Sequence, residues 1–301
     1  MKRRFDLGLG ARMVAALILL GALYVGLGYA AALLFGFFVG SPGVGHFVGI
    51  SVAVLLLAAS QYYYGAELAL RTMGGGVVER SEYPDLHDRM TYLAQQAGVP
   101  KPRVAVAENE TPNAFAAGRK RGDAVVCVTT GLLSTLDDDE LDGVLAHELS
   151  HIVNRDFQLM TVIAALSMMA GWIVRWGFLF GDGGSGGESG GWQLFAGYIA
   201  ALAVWAGAFL VGRLVSRYRE FAADRGAAIL TGDPAALASA LETITDEFGG
   251  VPEEDLREAE RANALLAAEV RESRLGSLFR THPAVEQRVS KLRSLAVEMD
   301  E

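Results

Sequence analysis

Cysteine is all but absent from this 301-residue chain: Cys127 stands alone, so no intramolecular disulfide can staple the fold, and redox state says little about compartment. Lysine is nearly as scarce. Of 26 basic residues four are lysine and 22 arginine, against 35 acidic residues, which leaves a formal charge of −9. That balance lacks the basic footprint of a nucleic-acid binder and excludes nucleic acid as an expected partner. It fits a protein from a salt-rich cytoplasm, a hypothesis that equal folding and activity at low salt would count against. Histidine is confined to His46, His87, His147, His151 and His282, so a metal centre has few imidazoles to draw on. Charge as a whole is thin, at 20% of residues against 51% hydrophobic, which is unusual for a soluble protein and directs attention to membrane spans.

In place of charge the chain has four long apolar stretches. The first covers residues 13–39 behind a basic start of Lys2, Arg3, Arg4 and Arg12, and the second covers 44–64. A cleaved signal peptide would begin in the same way, but its apolar region runs only ~7–15 residues. Each stretch instead meets the ~20 residues needed to cross a hydrocarbon core, and Tyr62, Tyr63 and Tyr64 suit its interface. Residues 157–180 and 192–212 form a second pair across the glycine-rich segment 181–191, expected as a flexible loop because no strand precedes it and no lysine follows. Arg175, the one charge inside 157–180, can snorkel to the interface. Neither connection, 40–45 nor 181–191, carries a lysine or arginine, whereas the opposite ends carry Lys2, Arg3, Arg4, Arg12, Arg71, Arg155, Arg213, Arg217 and Arg219. The positive-inside rule then predicts a multi-pass protein of the cell membrane with both connections outside and both termini in the cytoplasm.

Between the two hairpins the composition is that of a soluble domain. Leu86, Met90, Leu93, Ala94 and Ala97 share one helical face from Asp85 onward, closed by Gly98 and Pro100. Strands are expected around 104–107 and 124–129, with Cys127 buried in the second. Beyond residue 213 the chain reads as helical. Asp233 and Pro234 open a helix with apolar Leu237, Leu241, Ile244 and Phe248, stopped by Gly249 and Gly250, and a last helix begins near Ala284. Residues 252–274 read as a charged helix or a mobile cover.

The stretch that organises the rest is His147-Glu-Leu-Ser-His151. On a helix the two histidines project from one face on successive turns and can bind one metal ion, while Glu148 is rotated about 100° away, beside the ion rather than on it. A zinc ion lowers the pKa of its water towards ~7, and a glutamate so placed serves as general base. Uncharged Leu145, Ala146, Leu149, Ile152 and Val153 suit a buried metal helix, and Asp137 with Glu140 forms a capping box that opens it. Such a site needs a third protein ligand and an open fourth position. Glu220 is a candidate, with Asp224 one turn on, able to accept a hydrogen bond from a ligand histidine. Arg219 and Arg225 fit equally well a solvated helix laced with ion pairs, and spacing leaves the two readings level.

The motifs Asn113-Ala-Phe-Ala116, His147-Glu-Leu-Ser-His151, Glu220-Phe-Ala-Ala-Asp224 and Thr281-His-Pro283, in that order, resemble the HtpX-type integral-membrane zinc metalloproteases, relatives of the CAAX prenyl proteases. The resemblance runs from the first apolar stretch to the C-terminus. It implies a mainly α fold: an α+β zincin-like catalytic domain with a small sheet, plus four transmembrane helices in two hairpins. It implies one zinc ion per chain with Glu220 as third ligand. Asn113 and His282 then lie near the substrate, His282 as a donor to the oxyanion rather than the surface or capping residue it would otherwise be. The segment from Asn113, a third strand on its own evidence, becomes an edge strand that captures an extended peptide.

The expected organisation is therefore a cytoplasmic N-terminus at 1–12, a hairpin at 13–64, a first catalytic part at 65–156, a second hairpin at 157–212 and a second catalytic part at 213–301. His151 lies six residues before Phe157 and Glu220 seven after Arg213, so two crossings return them to one side, each about 10 Å from the membrane boundary at 1.5 Å per residue. The expected activity is zinc-dependent cleavage of damaged or misfolded membrane proteins at the cytoplasmic face. The competing expectations are processing of one lipid-modified partner and a non-catalytic scaffold or metal sensor, against which Glu148 speaks because a structural site needs no base.

Overall fold

The computed structural model describes residues 63–156, 190–248 and 285–300, with isolated helical positions at 18, 22, 26, 52, 56, 59 and 60. The expected third span, the segment 252–274, His46 and His282 lie outside the described residues, as do most of the first two spans. The chain divides into two compact units, Met1–Gln61 with Met160–Val215 and Tyr62–Leu159 with Ser216–Glu301.

In the first unit, one face of the helix over 190–215 is buried at Ala201, Val204, Ala208, Val211 and Val215, a stripe at spacings of three and four. An added Cβ at Gly26 would stand 3.1 Å from Val204 Cγ2, so Gly26 lies against that stripe. The remaining surface keeps Phe195, Ile199, Leu202 and Leu210 exposed, a distribution suited to lipid rather than water. Among the described residues one helix, Tyr198–Thr231, is long and apolar enough to cross a membrane.

The second unit is mainly helical around a small mixed sheet. Its strands β1 (Gly75–Val77), β2 (Arg103–Ala107), β3 (Ala114–Ala117) and β4 (Val125–Thr129) lie in the order β1-β2-β4-β3. Only β2 and β4 run parallel. The central strand β4 reads Val-Val-Cys-Val-Thr without a polar break because both its faces are covered. Val126 and Val128 join the main core, while Val125 and Cys127 turn to a second cluster with Phe115, Ala69 and Leu70. The strands expected around 104–107 and 124–129 are present to within a residue, and the segment after Asn113 is an edge strand. Three-residue β1, two of it glycine, is too short to give a periodic signal.

The helices are α1 (Pro84–Ala97), α2 (Thr130–Thr135), α3 (Asp138–Asn154), α4 (Gly190–Thr231), α5 (Pro234–Phe248) and α6 (Val285–Asp300). Helix α1 stops where Gly98 turns left-handed at φ 64, and α5 starts where Asp233 Oδ1 accepts hydrogen bonds from the N–H groups of Ala235 and Ala236. Helix α3 packs against α1, α5 and β3, and α6 against α5. Its core neighbours include Leu93, Leu237 and Leu241.

Candidate metal centre

Helix α3 is fixed before its histidines are reached. Asp137 Oδ1 accepts from Glu140 N at 2.9 Å while Glu140 Oε2 accepts from Asp137 N at 3.1 Å, completing the reciprocal box. Glu140 Oε1 also accepts from Ser239 Oγ at 2.6 Å and Thr243 Oγ1 at 3.0 Å, which ties the start of α3 to α5. At its other end Arg121 donates to the Val153 carbonyl. The helix closes with Arg155 in the left-handed region, φ 60 and ψ 36. A side chain there costs about 1–2 kcal/mol. The turn brings Asp156 back onto His151, whose Nδ1 lies 2.7 Å from Asp156 Oδ2.

His147 and His151, one turn apart and both buried, face each other with Nε2 atoms 3.2 Å apart and ring planes at 88°. Glu220 comes to them from α4, its Oε2 3.4 Å from His147 Nε2 and its Oε1 3.7 Å from His151 Nε2. Glu220 and Asp224 are only 3% and 4% exposed, which rules out the solvated-helix reading of this segment. Gly226 permits the approach of the two helices. A Cβ there would collide with Ser150 Oγ and stand 2.9 Å from its Cβ.

The donor set fits a metal ion. His147 Nδ1 lies 3.0 Å from Asp224 Oδ1 and His151 Nδ1 lies 2.7 Å from Asp156 Oδ2, so each ring has an aspartate placed to accept an N–H from Nδ1. With the protons so placed both Nε2 atoms offer lone pairs, and they meet each other and a carboxylate in one buried pocket. Three electron-rich atoms so close together call for positive charge between them. One ligand atom from each of His147, His151 and Glu220 lies within 4.8 Å of the others. Glu148, 5% exposed on the same turn, adds a further carboxylate.

Without a cation between them the two rings differ in their hold on a proton. Burial pulls the His147 imidazole down, but hydrogen bonding with Asp224 and Glu220 outweighs it and raises the pKa to about 9. In His151 burial wins and lowers the pKa, with the neighbouring His147 and Arg219 acting in the same direction against Asp156. Burial would also raise Asp224, yet the Arg288 guanidinium holds it below the usual carboxylate range. Arg288, 5% exposed on α6, donates from Nε to Asp224 Oδ2 at 2.9 Å and from Nη2 to Asp224 Oδ1 at 2.6 Å, and its Nη1 lies 3.5 Å from Glu220 Oε2.

The structure thus brings His147, Glu148, His151, Glu220 and Asp224 together. Asn113 stands immediately before β3, the strand that packs against α3; its carbonyl accepts from Thr129 N and its N–H donates to Thr129 Oγ1, both at 2.9 Å. His87 is engaged with Val78 O and Lys101 Nζ, each at 3.1 Å. Sequence reasoning missed Asp156, Arg288 and Gly226. The available signal for Arg288 was a charge standing on the apolar stripe of Val285, Val289 and Leu292; the other two gave none.

Comparison with known proteins matches residues 80–296 to Peptidase family M48. A curated relative, "Protease HtpX homolog 2" of Methanosarcina mazei, is 42% identical over 99% of this chain and 100% of its own. "Protease HtpX homolog 1" of Streptomyces coelicolor is 45% identical over 99% and 96%. Among solved structures, S. mikatae Ste24p has a similar fold with a TM-score of 0.53 at 17% identity, covering 94% of this chain, which spans 65% of that protein.

Proposed function

We propose, for a chain that belongs to peptidase family M48 and is a membrane-associated metalloendopeptidase, that the metal is one zinc ion held by His147, His151 and Glu220 and that the substrates are damaged or misassembled membrane proteins. The observation that carries the reading is the convergence of two imidazole Nε2 atoms and the Glu220 carboxylate in one buried pocket. Zinc favours such mixed histidine and carboxylate ligation, and when bound it supplies a Lewis acid for the scissile carbonyl and for water.

The protein's own residues do the rest. Glu148, held off the ligand face by helix rotation, accepts a proton from the attacking water and returns it to the leaving amine. Asp224 orients His147 through Nδ1. Edge strand β3 takes up an extended stretch of substrate by strand addition next to Asn113, and His282 donates to the oxyanion. Four spans in two hairpins place this centre at the cytoplasmic face. The charge asymmetry of the connections and the apolar α4, which leads directly to Glu220, support that topology.

The test is metal analysis of the detergent-purified chain coupled to cleavage of an unfolded membrane protein. One zinc per chain and cleavage lost to a chelator and restored by zinc are expected. A stoichiometric metal other than zinc, or cleavage indifferent to the chelator, would end the assignment.

A further inference from the structure

Behind each of the two histidines stands an aspartate, and behind each aspartate an arginine. Arg288 grips Asp224 with two donors, at 2.9 and 2.6 Å, and Asp224 meets His147 Nδ1 at 3.0 Å. Arg219 Nε forms an ion pair with Asp156 Oδ2 at 3.3 Å, and that oxygen meets His151 Nδ1 at 2.7 Å. The side chains come from the end of α3, from α4 and from α6, and all are largely buried. We propose that the two series, Arg288–Asp224–His147 and Arg219–Asp156–His151, are positioning residues of the metal centre, which hold both imidazoles with the proton on Nδ1 so that both Nε2 lone pairs face Glu220. This rests on the metal-site reading above and adds Asp156, Arg219 and Arg288 to it.

The need for an arginine follows from the chemistry of the pocket. An imidazole free to carry its proton on Nε2 would point an N–H at the other ring and offer no lone pair to a cation. An aspartate against Nδ1 removes that freedom only while its oxygen stays aimed at the ring. The arginine behind it fixes the orientation of the carboxylate, Arg288 through a two-donor fork on Asp224 and Arg219 through Nε on Asp156. The left-handed Arg155 belongs to the same device, because that turn is what returns Asp156 to His151. The two series differ in grip. Arg288 is bidentate and also reaches Glu220, whereas Arg219 meets Asp156 through Nε at 3.3 Å without hydrogen-bond alignment.

Zinc affinity, read by competition with a chromogenic chelator, and the visible absorption of the Co2+-loaded protein separate positioning from mere support of the fold. Both are measured on the full chain in detergent, for the parent, Asp156→Asn and Arg288→Gln, beside melting of the metal-free proteins. Each substitution is expected to weaken zinc binding by ~10–100-fold and to shift the Co2+ spectrum. Lower melting temperatures with unchanged zinc affinity and Co2+ spectrum would overturn the inference while leaving the metal site intact. A parent that binds neither ion stoichiometrically would overturn the metal-site reading and this one with it. Should Arg288→Gln not fold, Asp156→Asn decides the outcome.

Discussion

Helix α3 has 17 residues, a reciprocal side-chain cap at its start and a left-handed closure at its end, and it supplies two imidazoles and a carboxylate from a single turn and a half. Helix α4 has 42 residues, is apolar through its first half, and brings Glu220 and Asp224 only near its far end. The first is a local device. Its capping and burial hold a run of functional residues at fixed helical spacing. The second works through reach and close approach. Its functional pair has meaning only where Gly226 lets it settle against Ser150 of α3. A site divided this way requires local order from one helix and tertiary accuracy from the other.

The strongest way to break the comparison is to remove one ligand from each helix. If α4 merely braces α3, Glu220→Ala should leave metal binding intact while His147→Ala destroys it. A shared centre instead predicts that both variants purify with less than a tenth of the parent's metal and show no cleavage. Elemental analysis on protein shown to be folded by far-ultraviolet circular dichroism checks this, and full metal content in Glu220→Ala would reduce α4 to scaffold.

Glu148→Gln sharpens the contrast inside α3. The amide keeps the shape of the side chain but cannot take a proton, so cleavage should fall at least ~10²–10⁴-fold, the usual contribution of a general base, with metal retained. Appreciable proteolysis by the metal-loaded variant would remove the base assignment.

Much of α3 could be read from the residues because its determinants are close in sequence. The histidines are four apart, the cap residues three, and the apolar neighbours continuous. The far end of α4 could not be settled in this way. Glu220, Asp224 and the arginines beside them are the composition of an ordinary solvated helix, and only burial at 3% and 4% separates the two readings. Asp156 left no signal, since it reaches His151 through a backbone turn, and Arg288 left only a charge on an apolar stripe, since it arrives from α6 across 64 residues of chain from Asp224. Strand β4 was legible as an unbroken apolar run, whereas β1 is a strand only because β2 offers it partners.

Gly226→Ala tests the tertiary half directly. The new methyl meets both atoms of the Ser150 side chain, and Cβ cannot rotate away, so the helices must part. Overpacking of this kind costs about 1–3 kcal/mol. Thermal melting should drop accordingly, and metal affinity should fall further than stability alone accounts for, because Glu220 moves with α4. A variant that melts lower but binds metal as tightly as the parent would show the contact to be structural only.

The helix ends give the smallest and most discriminating effect. Both α3 and α4 are followed by a residue at positive φ: Gly232 at 73 after α4 and Arg155 at 60 after α3. Glycine takes that conformation without a steric penalty, whereas a side chain costs about 1–2 kcal/mol. Gly232→Ala should therefore destabilise the protein by about 1 kcal/mol. Arg155→Gly should leave stability equal or raise it by up to about 1 kcal/mol, the relief of strain being partly cancelled by the greater freedom of glycine in the unfolded chain. Opposite signs in a pair of melting curves would show that α3 retains a strained ending where α4 has a relaxed one. The lost rigidity at Arg155 should then appear as weaker metal binding through Asp156, and an Arg155→Gly protein with both higher stability and full metal affinity would show that the turn needs no side chain to deliver Asp156 to His151.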